Sequence, residues 1–428
     1  MYYFEKTLNH KPMSKKQNIV FWCVAIVILT LYNLTPPIDS FDTPYYLLAG
    51  ENFWHGRIDC LRTPVYPLLL KCSSELFGYK GMAVVLTILQ SLLYIISLVS
   101  LKRISEKAIK NSYLRFALLL FYVICIAPGW CNELLTESLS ISGMIIMVDC
   151  ILSYIEQSKI NCIIFIHLML LFLVFLRPTF IIFFAILPMV WIYQLFHFKQ
   201  YIHNSIALIL TIACIICFTG YCKSFQREYG LFGSTSTLVF NKIYDAKRGG
   251  YWDVKAIQTI ESREWIEQFD GTSYSNYSDV YSLINNHPEA LPHINKGCDD
   301  MISAHKFDFY RYRAQLLASS FDKRFLAAVN TETTLSSVLF LTTLFLSFPL
   351  SLFYLFTIIV TIFLFIHTLK QKKINPTLSL LTIIILAHTL GVILTASDAF
   401  ERVLLPVYPL FLVLIGISLE KAELTIRQ

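Results

Sequence analysis

Residues 18–34, NIVFWCVAIVILTLYNL, run directly into residues 35–67, TPPIDSFDTPYYLLAGENFWHGRIDCLRTPVYP. The first stretch is an unbroken apolar run preceded by Lys11, Lys15 and Lys16. As a helix it measures roughly 25 Å, enough to cross a bilayer core. Basic residues hold the end they flank in the cytoplasm, so the second stretch emerges on the outer side. No small-residue cleavage site follows the run, which reads as an uncleaved first span. The second stretch is polar and aromatic, with two carboxylates (Asp39, Asp42), a helical pattern of Tyr45, Leu48, Ala49 and Phe53, and an R-T-P-V-Y-P turn. Asp42-Thr43-Pro44 has the form of a helix start, with Pro tolerated in the first turn. Arg62-Thr63-Pro64 begins another helix, residues 64–78, too short to cross and amphipathic enough to lie on the outer surface.

Working outward, 56% of the 428 residues are hydrophobic and only 15% are charged. With a mean hydropathy of +0.58, the chain carries more apolar surface than one soluble core can hide. It is expected to be an all-α polytopic membrane protein, because lipid requires spanning backbone to satisfy its own hydrogen bonds and the runs are too long for barrel strands. The net charge of +6 falls mostly in short loops, which makes it a topology signal and excludes a nucleic-acid partner. The eleven cysteines lie mainly inside apolar runs, as at Cys125, Cys150, Cys214 and Cys217, and read as small buried hydrophobes without a disulfide framework.

Further spans are predicted at residues 81–101, 113–127, 138–155, 162–176, 179–196, 205–221, 377–395 and 405–419, with Lys102, Arg103, Lys107, Lys110 and Lys199 on the cytoplasmic side. Residues 335–369 would be roughly 50 Å as one helix. Two crossings would put Lys370, Lys372 and Lys373 outside, so an interfacial or re-entrant piece up to Pro349 followed by one span is preferred. The expectation is about ten crossings. A transmembrane module over residues 1–221 holds the first outer loop (35–80). An outer, mainly helical segment covers 222–333, and C-terminal membrane helices cover 334–428. Residues 222–333 are too long to be a plain connector.

This topology gathers charged groups at the outer ends of spans: Asp42, Glu137, Arg177 and Arg402, with Arg62 in the same loop as Asp42. Such groups near hydrocarbon are costly unless paired or used. A carboxylate can take a proton from a hydroxyl, and arginine grips phosphate through two donors, so the set suits transfer from a phospholipid-linked donor. Structural readings stand beside each. Asp42 can cap the helix that begins at Pro44, and Glu137 can be a first-turn acid favoured by the helix dipole. Arg177 can anchor at the interface, and Arg402 can pair with Glu401. Asp39 reads as a turn residue. In the outer segment His293, Cys298, Asp299, Asp300 and His305 match no established metal spacing. Tyr46, Trp54, Tyr66, Tyr251 and Trp252 lie in polar segments and offer faces for stacking on sugar rings.

The motifs D-T-P-x-Y (Asp42 to Tyr46), R-T-P-x-Y-P (Arg62 to Pro67), T-E-S-L (Thr136 to Leu139), L-R-P (Leu176 to Pro178) and E-R-x-L-x-P-x-Y-P (Glu401 to Pro409) resemble, in order and sidedness, those of the GT-C glycosyltransferases. The likeness is strongest to the bacterial branch related to the lipid A aminoarabinose transferase and the protein O-mannosyltransferases. The resemblance implies an inverting enzyme of the bacterial cytoplasmic (inner) membrane, with its site on the periplasmic side. It would move a sugar from a polyprenyl-phosphate carrier to a cell-envelope acceptor, which could be a lipid such as lipid A, a polysaccharide or a protein. Asp42 would be the base, Glu137 the second acid with Glu133 as its competitor, and Arg402 the group facing donor phosphate, assisted by Arg177 and Arg62. Metal use varies among these enzymes, which leaves a divalent cation open. The large C-terminal soluble domain of many members is missing, so residues 222–333 would supply the acceptor surface.

Two rivals remain open. An O-antigen polymerase or ligase would use arginines of the large loop, where Arg227, Arg248, Arg263, Arg311 and Arg313 are available. A lipid-linked sugar flippase or transporter would need ionisable groups within the membrane, and Asp149, His167 and His388 are the candidates.

Overall fold

The structure is a computed structural model that describes residues 12–125, 127–157, 159–198, 201–270, 277–326, 337–339, 341–342, 344, 349–371, 376–397 and 399–426. Lys11, Lys199, Lys372, Lys373 and most of residues 335–348 lie outside the described residues. Among the described residues the protein is helical throughout, with only two isolated β-bridges. It is an all-α, multi-pass membrane protein. Seven helices are long and apolar enough to cross a bilayer, and three shorter apolar helices accompany them.

Helix α1, Lys15–Asn33, begins at a capping box in which the Ser14 hydroxyl accepts from the Gln17 amide and the Gln17 side chain accepts from the Ser14 amide. Helix α2, Thr43–Trp54, lies in the first connecting loop. Helix α3, Val65–Ala108, is broken at Gly78, whose φ of 67° is open to glycine but strained for other residues. The break separates the short surface helix from the span that follows it.

Helix α4, Ser112–Cys125, and the short α5, Ala127–Cys131, lead to α6, Glu137–Gln157, which is buried on nearly every side. Small residues allow this close packing. Gly143 of α6 leaves room for Leu173 of α7, Ile160–Leu176. A 3-10 turn, Pro178–Ile182, joins α7 to α8, Phe183–Phe198. Helix α9, Tyr201–Tyr229, continues past the end of its apolar run into the polar segment. Outer faces of α1, α3 and α9 expose Ile26, Val27, Ile88, Leu92, Ile209 and Ile216, as lipid-facing surfaces do.

The polar segment folds as α10, Thr237–Arg248; α11, Ile260–Glu267; α12, Tyr277–Asn286; α13, Ala290–Ala304; and α14, Lys306–Ser320. It has its own core, which includes Phe240, Ile243, Ile266, Leu291, Ile294 and Met301. Helix α15, Leu350–Gln371, starts immediately after Pro349, where the chain bridges to Arg324. Then come α16, Pro376–Thr395; α17, Phe400–Leu404; and α18, Tyr408–Ile426.

Two contacts tie the connecting loops together. Ile38 exchanges backbone hydrogen bonds with Asn132 and Leu134, at 2.9 and 3.0 Å, so the segment before α6 is no free turn but pairs with the first loop. Helix α2 lies against the first turn of α3 at Gly50, where a methyl group would sit 2.7 Å from the Pro67 carbonyl oxygen. A Gly50→Ala substitution therefore must push α2 off α3. The expected cost is about 1–3 kcal/mol, seen as a lower thermal unfolding temperature of the purified protein in detergent.

Candidate functional site

The ends of α1, α6, α7 and α16 that carry the first loop, Glu137, Arg177 and the turn to Arg402 meet at one end of the bundle. Asp42 stands just before α2, but its carboxylate does not cap that helix. The local turn is satisfied by hydroxyls instead: the Ser40 amide donates to Thr43 Oγ1, and the Asp42 amide donates to Ser40 Oγ. This leaves the carboxylate for tertiary partners. Arg62 Nη2 donates to Oδ1 at 2.6 Å, and Arg402 Nη1 donates to Oδ2 at 2.8 Å.

The chain of charges continues from Arg402. Its Nε lies 3.3 Å from Oε1 of Glu137, and Arg177 Nη1 lies 3.3 Å from the same oxygen. Glu137 is only 1% exposed. It stands in the first turn of α6, as a dipole-favoured acid would, and is held by two arginines as well. Both contacts to Glu137 are ion pairs by distance without hydrogen-bond geometry, so among the described residues Arg402 Nε and Arg177 Nη1 are buried donors with no hydrogen-bond acceptor. The result is an alternation, Arg62, Asp42, Arg402, Glu137, Arg177, assembled from four separate parts of the chain.

Burial alone would raise the Asp42 carboxyl, but the neighbouring charges of Arg62 and then Arg402 outweigh it and hold its pKa at about 2. Tyr46 lies beneath Arg62, whose guanidinium carbon is 4.4 Å from the ring centroid, and Tyr66 meets Tyr46 edge-on at 4.9 Å. Both tyrosines are buried.

Other sequence-derived candidates fall elsewhere. Trp54, at the end of α2, is 52% exposed. Tyr251 is buried in the polar segment's core against Phe309, so its ring is engaged in packing. Trp252 donates to Asp270 and carries Lys247 over its ring. Asp39 accepts from the Tyr79 hydroxyl at 2.6 Å. Glu133 is buried and its backbone bridges to Ile38. Glu401 is 3.7 Å from Lys323, while its neighbour Arg402 turns to Asp42 and Glu137.

Most of the residues behind the two rival readings are engaged by local partners. Asp149 is paired with Arg103 at 2.6 Å, near Lys107 and Glu156 at the opposite end of the bundle. His167 bonds Thr211, and His388 bonds the Val403 carbonyl, as interhelical contacts do. Among the large-segment arginines, Arg263 bonds the Ile257 carbonyl, Arg311 pairs with Asp308, and Arg248 lies over the Tyr244 ring. Arg313 bonds carbonyls of the turn before α17. Among the described residues no three His, Cys, Asp or Glu side chains gather as a metal ligand set. Asp299 pairs with Lys242, Asp300 accepts the Gln258 amide, and His305 bonds Asp253.

One buried acid at this end was not anticipated. Asp59 is fully buried, accepting the Leu61 and Arg62 amides through Oδ1 and Asn52 and Tyr281 through Oδ2. The signal in the sequence was an Asp placed two and three residues before backbone amides that open a turn, D-C-L-R-T-P.

Fold and cluster together define a polytopic membrane protein with an arginine-rich ionic site at one bundle end, in which Glu137 is buried and the other members are partly so. No family model and no curated protein matches the chain. Among solved structures it is similar to the archaeal oligosaccharyltransferase AglB from Archaeoglobus fulgidus in complex with an inhibitory peptide and a dolichol-phosphate, with 10% identity and a TM-score of 0.47, over 97% of this chain and 52% of that one. It is also similar to the apo form of the Archaeoglobus fulgidus oligosaccharyltransferase, with 11% identity and a TM-score of 0.49, over 96% of this chain and 51% of that one. The chain spans about half the length of these proteins.

The lowered Asp42 pKa has a measurable consequence for stability. A carboxyl held below its unfolded value of about 3.9 stabilises the fold above that pH and loses the contribution as pH falls. Since the folded value is about 2, the stability advantage of wild type over Asp42→Asn is expected to be constant from neutral pH down to about 4 and to vanish between about 4 and 2. Thermal unfolding of both proteins across that range is the measurement. An advantage already lost at pH 5 contradicts the arrangement.

Proposed function

We propose that the chain is an integral membrane glycosyltransferase that moves a sugar, with inversion, from a polyprenyl-phosphate carrier to a hydroxyl of a cell-envelope acceptor at the outer leaflet of a bacterial inner membrane. The observation that carries this reading is the pair of buried guanidinium donors, Arg402 Nε and Arg177 Nη1, that converge on one Glu137 oxygen without a hydrogen bond to it. Buried donors without acceptors are costly. A phosphate oxygen entering between them would satisfy both, through the charge-assisted bonds in which arginine is strong.

In the transfer step the acceptor hydroxyl oxygen attacks the anomeric carbon and a new C–O bond forms. The bond from that carbon to the phosphate oxygen breaks, and its electron pair leaves with the phosphate. The hydroxyl proton goes to Asp42. At rest Asp42 is a weak base, because Arg62 and Arg402 both neutralise it. An arriving phosphate competes for those same arginines, and as they turn toward it the carboxylate loses the charges that depress its basicity. Donor binding thereby makes the base competent. The departing phosphate gains charge where Arg402 and Arg177 stand, which is the electrostatic stabilisation such a step needs. Tyr46 and Tyr66 form the floor beneath Arg62, and the exposed Trp54 ring is a stacking face for a sugar.

The test is transfer of radiolabelled sugar from polyprenyl-phosphate donors to envelope acceptors by membranes with matched amounts of wild type or Asp42→Asn. Asn keeps the size of Asp but cannot take the proton, so the rate is expected to fall by about 100-fold to 10,000-fold. Transfer by Asp42→Asn at the wild-type rate removes Asp42 as the base. Consumption of diphosphate-linked glycan alone moves the polymerase or ligase reading ahead.

A further inference from the structure

The five charged residues are not held alike. Glu137 and Arg177 belong to the ends of membrane helices: α6 begins at Glu137, and the Arg177 amide still bonds the Leu173 carbonyl at 2.8 Å. Arg62, just before α3, and Arg402, within the five-residue α17, are the two that reach Asp42, and backbone preceding each is fastened to the polar segment.

Around Arg62, the Tyr229 hydroxyl donates to the Ile58 carbonyl at 2.7 Å, Ser236 Oγ to the Cys60 carbonyl at 2.6 Å, and Thr237 Oγ1 to the Leu61 carbonyl at 3.2 Å. Asp59 completes the frame. Its Oδ1 accepts the Leu61 and Arg62 amides, both at 2.8 Å, and its Oδ2 accepts the Tyr281 hydroxyl of α12 at 2.7 Å.

Around Arg402, Arg313 of α14 donates from Nη2 to the Leu394 carbonyl at 2.7 Å and from Nη1 to the Ala396 carbonyl at 2.5 Å. Its guanidinium is backed by buried Asp245 at 3.3 Å. Asn241 donates to the Thr395 carbonyl at 2.8 Å and accepts from Ser397 at 3.0 Å. The next described residue, Ala399, has a φ of 51°, the left-handed region that alanine avoids, and its carbonyl accepts the Arg402 amide. A strained residue persists only where its neighbours over-determine the turn.

We infer that Tyr281 and Arg313 are positioning residues through which the polar segment sets Arg62 and Arg402 on Asp42, so that this segment governs donor-phosphate binding without touching the donor. The inference rests on the reading of Arg62 and Arg402 as donor-phosphate groups. Its chemistry is specific: Tyr281 acts on the amides beside Arg62 through Asp59, and Arg313 acts on the carbonyls that lead into the Ala399 turn. The half of the cluster on helix ends is independent of both.

Two readouts test it on the full-length protein. The first is amide hydrogen exchange, which needs no activity. Tyr281→Phe keeps the ring and removes one hydrogen bond to a carboxylate, so exchange of the peptide covering residues 58–62 is expected to rise about tenfold, with the peptides of α13 and α9 unchanged. Unchanged exchange at 58–62, or faster exchange across the whole polar segment, overturns the positioning role. The second is a double-mutant cycle on the KM for a polyprenyl-phosphate sugar. Tyr281→Phe is expected to raise KM about tenfold with little change in kcat, and Arg313→Lys to raise KM about tenfold and to lower kcat as well, because Arg402 also faces the departing phosphate. Tyr281→Phe should add nothing in an Arg62→Gln background, nor Arg313→Lys in an Arg402→Gln background. Additive effects overturn the inference while leaving the glycosyltransferase reading intact. If Arg62→Gln and Arg402→Gln transfer normally, the donor-phosphate reading fails and the inference fails with it, even where the exchange data still show Tyr281 fixing residues 58–62.

Discussion

One guanidinium touches both carboxylates of the site. Arg402 bonds Asp42 and lies in ionic contact with Glu137, which is 1% exposed, so neither acid stands as an uncompensated charge in a region of low dielectric. Much of the surrounding architecture serves this shared contact. Helix α6 must end at this depth to offer Glu137, the turn before α17 must bend through the left-handed Ala399 to offer Arg402, and the first loop must be pinned by Ile38 to bring Asp42 beneath them. Removing the guanidinium would leave two acids facing each other with only Arg62 and Arg177 at the flanks.

The first loop earns its precision from neighbours on every side. Gln90 of α3 donates to the Cys131 and Glu133 carbonyls at 2.8 and 2.9 Å, and the Asn132 amide group bonds Thr35 and Pro36. Thr43 reaches the Leu134 carbonyl. These bonds make the two segments that carry Asp42 and Glu137 one unit, anchored to the membrane helices. The polar segment then closes over the other side of the loop. A site built between two such supports can be exact in geometry although much of its backbone is irregular.

The sequence made part of this legible, for a physical reason. Alternating spans place every second connection on the same side, so Asp42, Glu137, Arg177 and Arg402 could be assigned to one end of the bundle from hydropathy and basic residues. Topology compresses them onto one surface but does not order helices laterally, and partner choice depends on that order. Arg402 was open to pairing with Glu401 because they are neighbours in the chain, yet Glu401 faces Lys323. Asp42 was open to capping α2, but the Ser40 and Thr43 hydroxyls already satisfy that turn. Tyr251 read as a surface aromatic in a polar stretch, whereas the polar segment has a core of its own and uses that ring within it. The turn that Asp59 makes with the Leu61 and Arg62 amides is local, but its bond to Tyr281 and those of Arg313 to Leu394 and Ala396 join residues more than eighty apart in sequence, and no local pattern encodes them.

Among Arg62, Asp42, Arg402, Glu137 and Arg177, each acid has a guanidinium on either hand. Neutralising either acid therefore sets two cations face to face, so the arginines depend on the acids for their placement as much as the acids depend on the arginines.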